Sequence, residues 1–472
     1  MSDHLTGLRA AFAGRLVTDP ADMSAFLTDW RGKWTGRAIA VAQPDSAADV
    51  AAVLAWCGAH RIPVVPQGGN TGLSGGATPD DSGRALVLSL TRLNRVRRVD
   101  AVNNTIEVEA GVTLQQVQEA AREAHRLFPL SLAAEGSCTI GGNLATNAGG
   151  VQVLRYGNAR ELCLGLEVVT PDGEVWNGLR GLRKDNTGYD LRDLYIGSEG
   201  TLGVITAAVL KLHPLPAAQV AAFVAVPSPE AAVRLLELAQ ASIGAALTAF
   251  EFMSDTCIGL VEKHVPAARH PLSERSPWYV LLEVSDTRTE ARAVEAIEGV
   301  LEAGLDAGLA TDAALSSSVA QFRALWALRE DISESQAAEG KTIKHDIALP
   351  ISVIPEFIET MEVAIARTFP RVRLVVFGHL GDGNLHFNAS PPLEFASGEG
   401  ASAFTALEAP LNQLVHDAVA ARGGSISAEH GLGVLRRDEA ARYKSPVERK
   451  LMQAIKAALD PHHLMNPGKL LA

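Results

Sequence analysis

Three glycine-dense loops within one stretch of the chain constrain its fold more than any other feature. The first, PVVPQGGNTGLSGG at 63–76, places five glycines within nine residues directly after a strand-like run. The others are EGSCTIGGNLATNAGG at 135–150 and GSEGTLGVIT at 197–206. Such loops let backbone N–H groups close around phosphate oxygens. One such loop alone is equally explained as a tight structural turn, but a set of them predicts a long, bent ligand that carries phosphate.

The common nucleotide-binding motifs do not account for these loops. The sequence contains no G-x-G-x-x-G, and the Gly-Lys-Thr at 340–342 has Ser335 where a P-loop requires its first glycine. The sequence therefore predicts neither a Rossmann site nor a Walker site.

The order of strand and helix patterns predicts more than one domain in this chain of 472 residues. From about residue 36 to 215, strand-like runs alternate with short helical patterns and the glycine loops. A proline-marked boundary, LHPLPAAQ, follows at 212–219. Beyond it, a β-α-β order and the start of a similar unit suggest a ferredoxin-like domain. Near the end, SPVERKLMQAIKAALDP predicts a helix that stops at Asp460-Pro461, and one side of it is apolar: Leu451, Ile455, Ala458 and Leu459.

The composition is that of a globular protein, with 47% apolar and 20% charged residues. A formal charge of −12 gives no general attraction for nucleic acid, so local cations must bind any anionic substrate. The four cysteines are far apart and imply no disulfide framework. Because neither a signal peptide nor an apolar run of membrane-spanning length is found, we expect a cytoplasmic protein without a membrane span.

A pair of histidines flanks an Asp-Gly turn signal in GHLGDGNLHFN. Apolar stretches lie on both sides, so the pattern predicts a β-hairpin. If Asp382 and Gly383 are the central residues of a type I′ turn, His379 and His386 face each other with Cβ atoms roughly 5 Å apart. Asn388 then lies further along the same face. Taken alone, these histidines are explained either as hydrogen-bonded structural residues or as metal ligands.

The segment SISAEHGLG adds a carboxylate and an imidazole, Glu429 and His430, in a loop between glycine signals. Two facing imidazoles and a carboxylate form a three-ligand set with open positions, which suits zinc or another divalent first-row ion. From these residues alone, a metal-dependent hydrolase or lyase with purely structural glycine loops is an alternative.

An ordered set of motifs resembles the FAD-binding domain of the vanillyl-alcohol-oxidase type. The motifs are PQGGNTGLSGG, GSCTIGGNLATNAGG, LRYGN, RKDNTGYDL and IGSEGTLGVIT. With GHLGDGNLHFN, SAEHGLG and the terminal MNPGKLL, the sequence resembles the FAD-linked D-2-hydroxy-acid dehydrogenases, most closely those that act on D-2-hydroxyglutarate. The resemblance runs from about residue 36 to the C-terminus and is weak from about 220 to 315.

The resemblance implies an α+β fold with a two-part FAD-binding domain of the vanillyl-alcohol-oxidase type, a ferredoxin-like substrate (cap) domain and a C-terminal helical segment. We predict an N-terminal helical segment at 1–35 and the FAD-binding domain at 36–216. The substrate domain with the metal-site hairpin is predicted at 217–415, and a C-terminal segment that returns to the flavin at 416–472.

The same resemblance assigns residues to FAD. In the first loop they are Gln67, Gly68, Gly69, Asn70, Thr71, Gly72 and Ser74. Around the second loop they are Gly136, Thr139, Gly142, Asn143, Thr146, Asn147, Gly150, Tyr156 and Gly157, and Glu199, Gly200, Val204, Ile205 and Asn466 complete the set. Some relatives attach the flavin covalently through a histidine in or beside the first loop, sometimes with a cysteine near the second. Gln67 occupies the first loop here, so we expect noncovalent FAD and interpret Cys138 as a small packing residue.

The resemblance also assigns the catalytic groups. His379, His386 and Glu429 are implied as ligands of a divalent metal, with zinc expected first and manganese or cobalt as alternatives. His430 is implied as the general base that takes the proton of the C2 hydroxyl while the hydride passes to N5 of FAD. The metal would stabilise the developing alkoxide.

Polar residues of two further segments are implied to contact the substrate. Arg329 and Ser333, four apart in ALWALREDISESQ, share a face of a helical pattern. Lys344 lies in the strand-like TIKHDIAL and points away from its apolar neighbours. Taken singly, such cations are usually solvated, but the family pattern places them over the substrate, with Asn388 near the metal-held end.

These cations imply a second, distal carboxylate, because the metal already holds C1. The predicted reaction is therefore the oxidation of D-2-hydroxyglutarate to 2-oxoglutarate, with D-malate, D-lactate and glycolate as alternative substrates. The resemblance implies an electron-transfer flavoprotein or a quinone-linked chain as electron acceptor, and it allows a homodimer.

Overall fold

The computed structural model describes residues 2–393 and 398–471. Its helices are α1 (Ser2–Ala11), α2 (Pro20–Leu27), α3 (Ala47–His60), α4 (Leu114–Glu123), α5 (Ile140–Ala145), α6 (Val153–Tyr156), α7 (Ala159–Leu162), α8 (Leu191–Tyr195), α9 (Pro229–Ile243), α10 (Asp255–His264), α11 (Glu290–Asp306), α12 (Val319–Glu330), α13 (Ile332–Ala337), α14 (Ile354–Thr368), α15 (Gly398–Thr405), α16 (Glu408–Ala421), α17 (Arg437–Tyr443) and α18 (Pro446–Leu459). Its strands are β1 (Arg15–Val17), β2 (Ala38–Gln43), β3 (Val64–Gln67), β4 (Ala85–Ser89), β5 (Val96–Asp100), β6 (Thr105–Glu109), β7 (Arg126–Leu127), β8 (Cys163–Val169), β9 (Val175–Gly178), β10 (Val204–Lys211), β11 (His213–Pro214), β12 (Ala218–Val226), β13 (Leu247–Ser254), β14 (Trp278–Asp286), β15 (Asp312–Leu315), β16 (Asp346–Ala348), β17 (Arg373–His379) and β18 (Asn384–Ser390).

The chain divides into two compact units. Unit 1 comprises residues 1–150, 157–215 and 429–472, and unit 2 comprises residues 151–156 and 216–428. One division falls between Leu215 and Pro216, within the proline-marked segment LHPLPAAQ. The predicted domain ranges stay predictions.

Unit 1 contains two larger sheets. The first has four strands in the order β1-β2-β4-β3, and the second has five in the order β5-β6-β10-β8-β9. Strands β2, β3 and β4 pair in parallel, whereas the second sheet is antiparallel. Apolar side chains of α1, α3 and the first sheet form one buried cluster, which includes Leu54, Val64 and Leu86. The two sheets correspond to the predicted two-part architecture.

Unit 2 is built on one seven-stranded sheet in the order β15-β12-β14-β13-β17-β18-β16. Four of these strands, β12 to β15, follow one another along the chain and take the spatial order fourth, first, third, second. This order, with α9 and α11 as the connecting helices, is that of a ferredoxin-like fold, so the prediction is confirmed. The remaining strands extend the sheet beyond β13, and the site residues of unit 2 cluster there.

The predicted histidine hairpin forms from β17 and β18, but its register differs from the prediction. His386 pairs with Phe377 rather than with His379. A 3₁₀ turn over Leu380–Asp382 replaces the expected two-residue turn, and only Gly383 follows it in the left-handed region, with φ of 85°. A type I′ turn requires positive φ at both central residues. The longer connection shifts the pairing by two residues and keeps both histidines on one face.

The C-terminal helix α18 forms and ends at Asp460, as predicted. Its apolar side is exposed, however: Leu451 and Ile455 are 59% and 38% exposed. The buried residue is Lys456, whose Nζ donates to Asp460 Oδ2 at 2.6 Å and to the carbonyl oxygen of Thr201 at 2.7 Å. Within unit 1, this helix is therefore anchored by its lysine rather than by its leucine and isoleucine.

Membrane-spanning segments were sought among the helices of the described ranges. None combines the length and the apolar character that crossing a bilayer requires.

Candidate active site

The glycine loops of unit 1 line one cleft. It holds about 960 Å³ of empty space when the solvent at its open mouth is included. The first loop follows β3, the second leads into α5, and the third leads into β10. The sequence prediction that these loops serve one ligand is therefore supported by their common lining of the cleft.

The wall of the cleft fits a ligand that contacts backbone and hydroxyl groups. The Oγ1 atom of Thr139 is buried and has no hydrogen-bond partner among the described residues. A Cβ at Gly68 would overlap this hydroxyl, and a Cβ at Gly69 would overlap the carbonyl oxygen of Ser137. Only glycine allows this close approach. A buried hydroxyl without a partner is costly, so Thr139 is available to a polar ligand.

Several predicted FAD residues hold unusual backbone conformations. Asn70, Asn147, Glu199 and Asn466 have φ between 42° and 54°. Asparagine tolerates this left-handed region, whereas glutamate rarely adopts it. Such conformations persist where the surrounding structure determines them, and they concentrate at functional sites.

Most of the predicted FAD residues line the cleft: Gln67, Gly68, Gly69, Asn70, Thr71, Gly72, Ser74, Thr139, Gly142, Asn143, Thr146, Glu199, Gly200, Val204 and Ile205. Of the described residues of unit 1, the predicted ones outside the lining are Gly136, Asn147, Gly150, Gly157 and Asn466. Tyr156 belongs to unit 2. Asn466 supports the cleft indirectly, because its Nδ2 donates to the carbonyl oxygens of Gly76 at 2.9 Å and Glu199 at 2.7 Å.

The sequence assignment missed several lining residues: Pro66, Gly76, Ala77, Leu90, Gly141, Ala145, Ser198 and Gly203. Gly76, Gly141, Ser198 and Gly203 lie within the glycine loops themselves, so the loop pattern contained the signal. Leu90 directly follows β4 and had no such signal.

His430 also lines this cleft, and two residues of unit 1 hold its loop. The carboxylate of Glu199 accepts hydrogen bonds from the backbone N–H groups of Leu432 at 2.7 Å and Gly433 at 2.8 Å. The Oγ of Ser74 lies 3.2 Å from the carbonyl oxygen of His430. Burial raises the pKa of Glu199, although the two N–H donors oppose this shift. Residues of the first and third glycine loops thus place His430 at the cleft.

The two residues relevant to covalent flavin attachment, Gln67 and Cys138, are both buried. The Nε2 of Gln67 donates to the carbonyl oxygens of Phe26 and Ala77, each at 2.9 Å. Cys138 is buried, and burial raises the pKa of its thiol. Neither side chain is a reactive nucleophile in this setting.

In unit 2, a buried carboxylate joins two predicted site residues. Glu251 on β13 lies opposite His379 on β17. Its carboxylate is 2.8 Å from His379 Nδ1, and it accepts a hydrogen bond from Arg329 Nε, also at 2.8 Å. Burial alone would raise the pKa of Glu251, but the charges of His379 and Arg329 outweigh burial and lower it. Glu251 therefore pairs with both residues inside the sheet.

Phe377 packs between the predicted substrate and metal residues. The guanidinium carbon of Arg329 lies 4.8 Å from the centroid of its ring. The ring of His386 lies on Phe377 with centroids 4.8 Å apart. The Nη2 of Arg329 is buried and has no hydrogen-bond partner among the described residues. Nη2 can therefore donate to a ligand, because Nε already donates to Glu251.

Arg329 and Ser333 lie in two different helices and differ in exposure. Arg329 is buried at the end of α12, whereas Ser333 is exposed in α13, and Asp331 separates the two helices. The buried serine of this region is Ser335, and its Oγ has no partner among the described residues. Lys344 is half-buried just before β16.

Asn388 is buried on β18 within a network of amides. Its Nδ2 donates to Gln336 Oε1 at 3.0 Å, and its Oδ1 accepts from the backbone N–H of His345 at 3.2 Å. Gln336 in turn donates to Ser390 Oγ at 3.0 Å. The orientation of the Asn388 amide is thereby fixed.

Glu251 is the residue of this cluster that sequence reasoning missed. The available signal was the glutamate within the apolar run ALTAFEFM. A charged residue in a buried strand is rare unless it has a partner of opposite charge. Its partners lie 78 and 128 residues away along the chain, so the pairing itself was not predictable from local pattern.

Two family models match the chain. An FAD binding domain matches residues 38–178, and the C-terminal domain of FAD linked oxidases matches residues 215–470. Together they cover both units and support FAD binding. They favour the predicted flavoenzyme over the alternative hydrolase.

Curated relatives match over nearly the full length. A D-2-hydroxyglutarate dehydrogenase of Xanthomonas citri pv. viticola is 41% identical over 98% of this chain and 95% of its own. The mitochondrial D-2-hydroxyglutarate dehydrogenase of Bos taurus is 40% identical over 99% of this chain and 83% of its own.

A solved structure of p-cresol methylhydroxylase with bound substrate shares the fold. Its TM-score is 0.77, with 15% identity over 99% of this chain and 96% of its own. The vanillyl-alcohol-oxidase type of fold predicted from the motifs is confirmed. The chain is an FAD-dependent oxidoreductase, and it belongs to the FAD-linked oxidases of the D-2-hydroxyglutarate dehydrogenase family.

Proposed function

We propose that this protein oxidises D-2-hydroxyglutarate to 2-oxoglutarate. The observation that carries the proposal is the near-full-length match to curated D-2-hydroxyglutarate dehydrogenases of bacterial and mitochondrial origin. The FAD cleft and the buried charged cluster of unit 2 support it.

FAD supplies the acceptor for a hydride at N5, which no protein side chain can provide. We propose that His430 takes the proton of the C2 hydroxyl as the general base. Its position at the cleft supports this role, because the proton and the hydride leave adjacent atoms of the substrate. Its loop is held by Glu199 and Ser74, so the backbone of His430 is held at the cleft.

We propose that His379, His386 and Glu429 hold a divalent metal, zinc first, with manganese or cobalt as alternatives. The donor chemistry fits, since two imidazoles and a carboxylate leave coordination positions open for a substrate. We propose Nε2 of His379 as its ligand atom, because Nδ1 contacts the carboxylate of Glu251. A bound metal would polarise the C2 hydroxyl and so lower the cost of removing its proton.

We propose that the distal carboxylate of the substrate binds Arg329, with Ser333 and Lys344 beside it, and that Asn388 lies near the metal-held end. The buried Nη2 of Arg329 supports this, because an unpartnered charged donor in the interior is costly without a ligand. D-lactate and glycolate would leave Arg329 Nη2 unpaired, and D-malate carries a second carboxylate on a shorter chain.

The substrate is tested with a panel of D- and L-2-hydroxy acids and an artificial electron acceptor, with turnover and flavin reduction as the readouts. We expect the highest kcat/KM for D-2-hydroxyglutarate, lower values for D-malate and very low values for L-enantiomers. A preference for D-lactate would overturn the dicarboxylate assignment. The same assay, with electron-transfer flavoprotein or a quinone in place of the artificial acceptor, tests the predicted acceptor.

A further inference from the structure

We propose that Glu251 is a positioning residue that fixes both the metal ligand His379 and the substrate-binding Arg329. The inference rests on the proposed function, because it assigns Glu251 a task within that reaction.

The backbone fixes the contact between Glu251 and His379. The two residues are direct partners on the adjacent antiparallel strands β13 and β17. Direct partners project from the same face of a sheet, with Cβ atoms about 4.5–5.5 Å apart. The 2.8 Å contact between the carboxylate and Nδ1 therefore depends on sheet register rather than on a flexible side chain.

The contact distinguishes the two nitrogens of His379. The carboxylate of Glu251 accepts from Arg329 Nε and lies 2.8 Å from Nδ1 of His379, so we assign the proton of this second contact to Nδ1. In neutral imidazole the lone pair then lies on Nε2. Metal-binding histidines commonly donate their other N–H to a carboxylate, which fixes the ring and increases its basicity. Glu251 thus presents His379 through Nε2.

The same carboxylate also fixes Arg329. Its Oε2 accepts from Arg329 Nε at 2.8 Å, and Glu251 and Arg329 are 1% and 6% exposed. Two buried partners on one carboxylate cannot move independently of it. Glu251 therefore sets the separation between the residue proposed for the metal-held end and the residue proposed for the distal carboxylate of the substrate.

The test replaces Glu251 by the isosteric glutamine and compares a matched control. Glu283→Gln removes another buried carboxylate of the same sheet, one that accepts from Gln219 at 3.0 Å and Ser285 at 3.1 Å. Metal affinity of the FAD-loaded holoenzyme is measured by competition with a zinc chelator, and bound zinc and flavin are quantified. We expect Glu251→Gln to weaken zinc binding roughly 10- to 100-fold with normal flavin content. Glu283→Gln should leave zinc affinity unchanged.

Equal zinc affinity in Glu251→Gln and the wild type would overturn the positioning role while leaving the proposed metal site intact. Absence of metal binding by the wild type would instead overturn the metal part of the proposed function. A second measurement decides the inference in that case, and also if Glu251→Gln does not fold. Nitrogen-15 NMR of histidine-labelled wild-type holoenzyme, with His379→Asn for assignment, should show a proton on Nδ1 of His379. A proton on Nε2 alone would overturn the inference.

Discussion

The imidazole rings of His379 and His386 have centroids 5.7 Å apart and planes inclined by 77°. They are diagonal neighbours on one face of the hairpin, since His386 pairs with Phe377, two residues before His379. Diagonal neighbours remain within reach of long side chains. Each ring has a different support, because His379 contacts Glu251 and His386 packs on Phe377.

Loss of one imidazole is expected to abolish metal binding without removing FAD. We expect His386→Ala to contain little metal, to turn over slowly and to keep near-normal flavin content, because the flavin cleft is formed by other segments. Metal analysis by mass spectrometry and flavin absorbance measure the two outcomes. Chelator treatment of the wild type should have the same effect on turnover.

The matched control is His270→Ala in unit 2. His270 binds the carbonyl oxygen of Leu272 and the hydroxyl of Tyr279 through its two ring nitrogens, so it is a structural histidine. This variant should keep its metal. Full activity of chelator-treated wild-type enzyme would show that the metal assignment is wrong.

FAD is expected to be released by acid without proteolysis. Gln67 carries no nucleophile, and the thiol of Cys138 is buried with a raised pKa. After acid precipitation, the yellow colour should therefore remain in the supernatant, and Cys138→Ser should retain its flavin. A yellow pellet after washing would contradict noncovalent binding.

His430 is expected to control flavin reduction. His430→Asn should retain FAD and metal, yet reduce the rate of flavin reduction by D-2-hydroxyglutarate by about 10²- to 10⁴-fold, the usual effect of losing a general base. Stopped-flow absorbance under anaerobic conditions measures this rate. His60→Asn, which changes an exposed histidine of α3, is the control and should reduce flavin normally. Unchanged kinetics in His430→Asn would remove His430 from the mechanism.

The sequence predicted the architecture because its signals are local. Each glycine loop follows or precedes a strand-like run, and the period of that run identified β3 and β10 correctly. Turn chemistry was less informative. Asp-Gly favours a two-residue turn, but Asp382 continues a 3₁₀ turn and only Gly383 adopts positive φ. A pattern of two residues does not distinguish a two-residue from a four-residue connection, and the register depends on that difference.

The ion pairs of the interior could not be predicted from local pattern. Lys456 on α18 is not among the residues of the predicted apolar side, yet it is buried and binds Asp460 and the carbonyl oxygens of Thr201 and Met465. Glu251 meets its partners only when β13 and β17 become neighbours. Such contacts depend on tertiary structure, which overrides the amphipathic pattern of a single helix or strand.

Acid is expected to remove a specific stabilisation from unit 2. Glu339 accepts hydrogen bonds from Lys263, Arg373 and His264. Burial alone would raise its pKa, but these partners outweigh burial and lower the pKa of Glu339 to about 2. A lowered pKa stabilises the folded state above the ordinary carboxyl pKa of 4.5, and this stabilisation is lost as the pH falls towards 2.

We therefore expect Glu339→Gln to lower Tm at about pH 7, and the difference from the wild type to narrow at about pH 3. Circular dichroism melts at both pH values measure it. Glu334→Gln, at an exposed position of α13, should change Tm little at either pH. A Tm difference that is independent of pH would mean that Glu339 acts through packing rather than through its charge.

The substrate assignment is tested most directly at Arg329. Arg329→Ala would leave the buried carboxylate of Glu251 without its cation, which typically costs 3–5 kcal/mol of stability. Arg329→Lys keeps a positive charge for Glu251 and removes Nη2, so it is the better variant. Losing a charge-assisted hydrogen bond costs about 1.5–3 kcal/mol, or roughly a 10- to 150-fold loss in kcat/KM. We expect this loss for D-2-hydroxyglutarate and little change for D-lactate, because D-lactate has no distal carboxylate.

The control is Arg323→Lys, at an exposed position of the same helix α12, which should leave kcat/KM for both substrates unchanged. Equal losses on both substrates would mean that Arg329 supports His379 through Glu251 rather than binding the distal carboxylate.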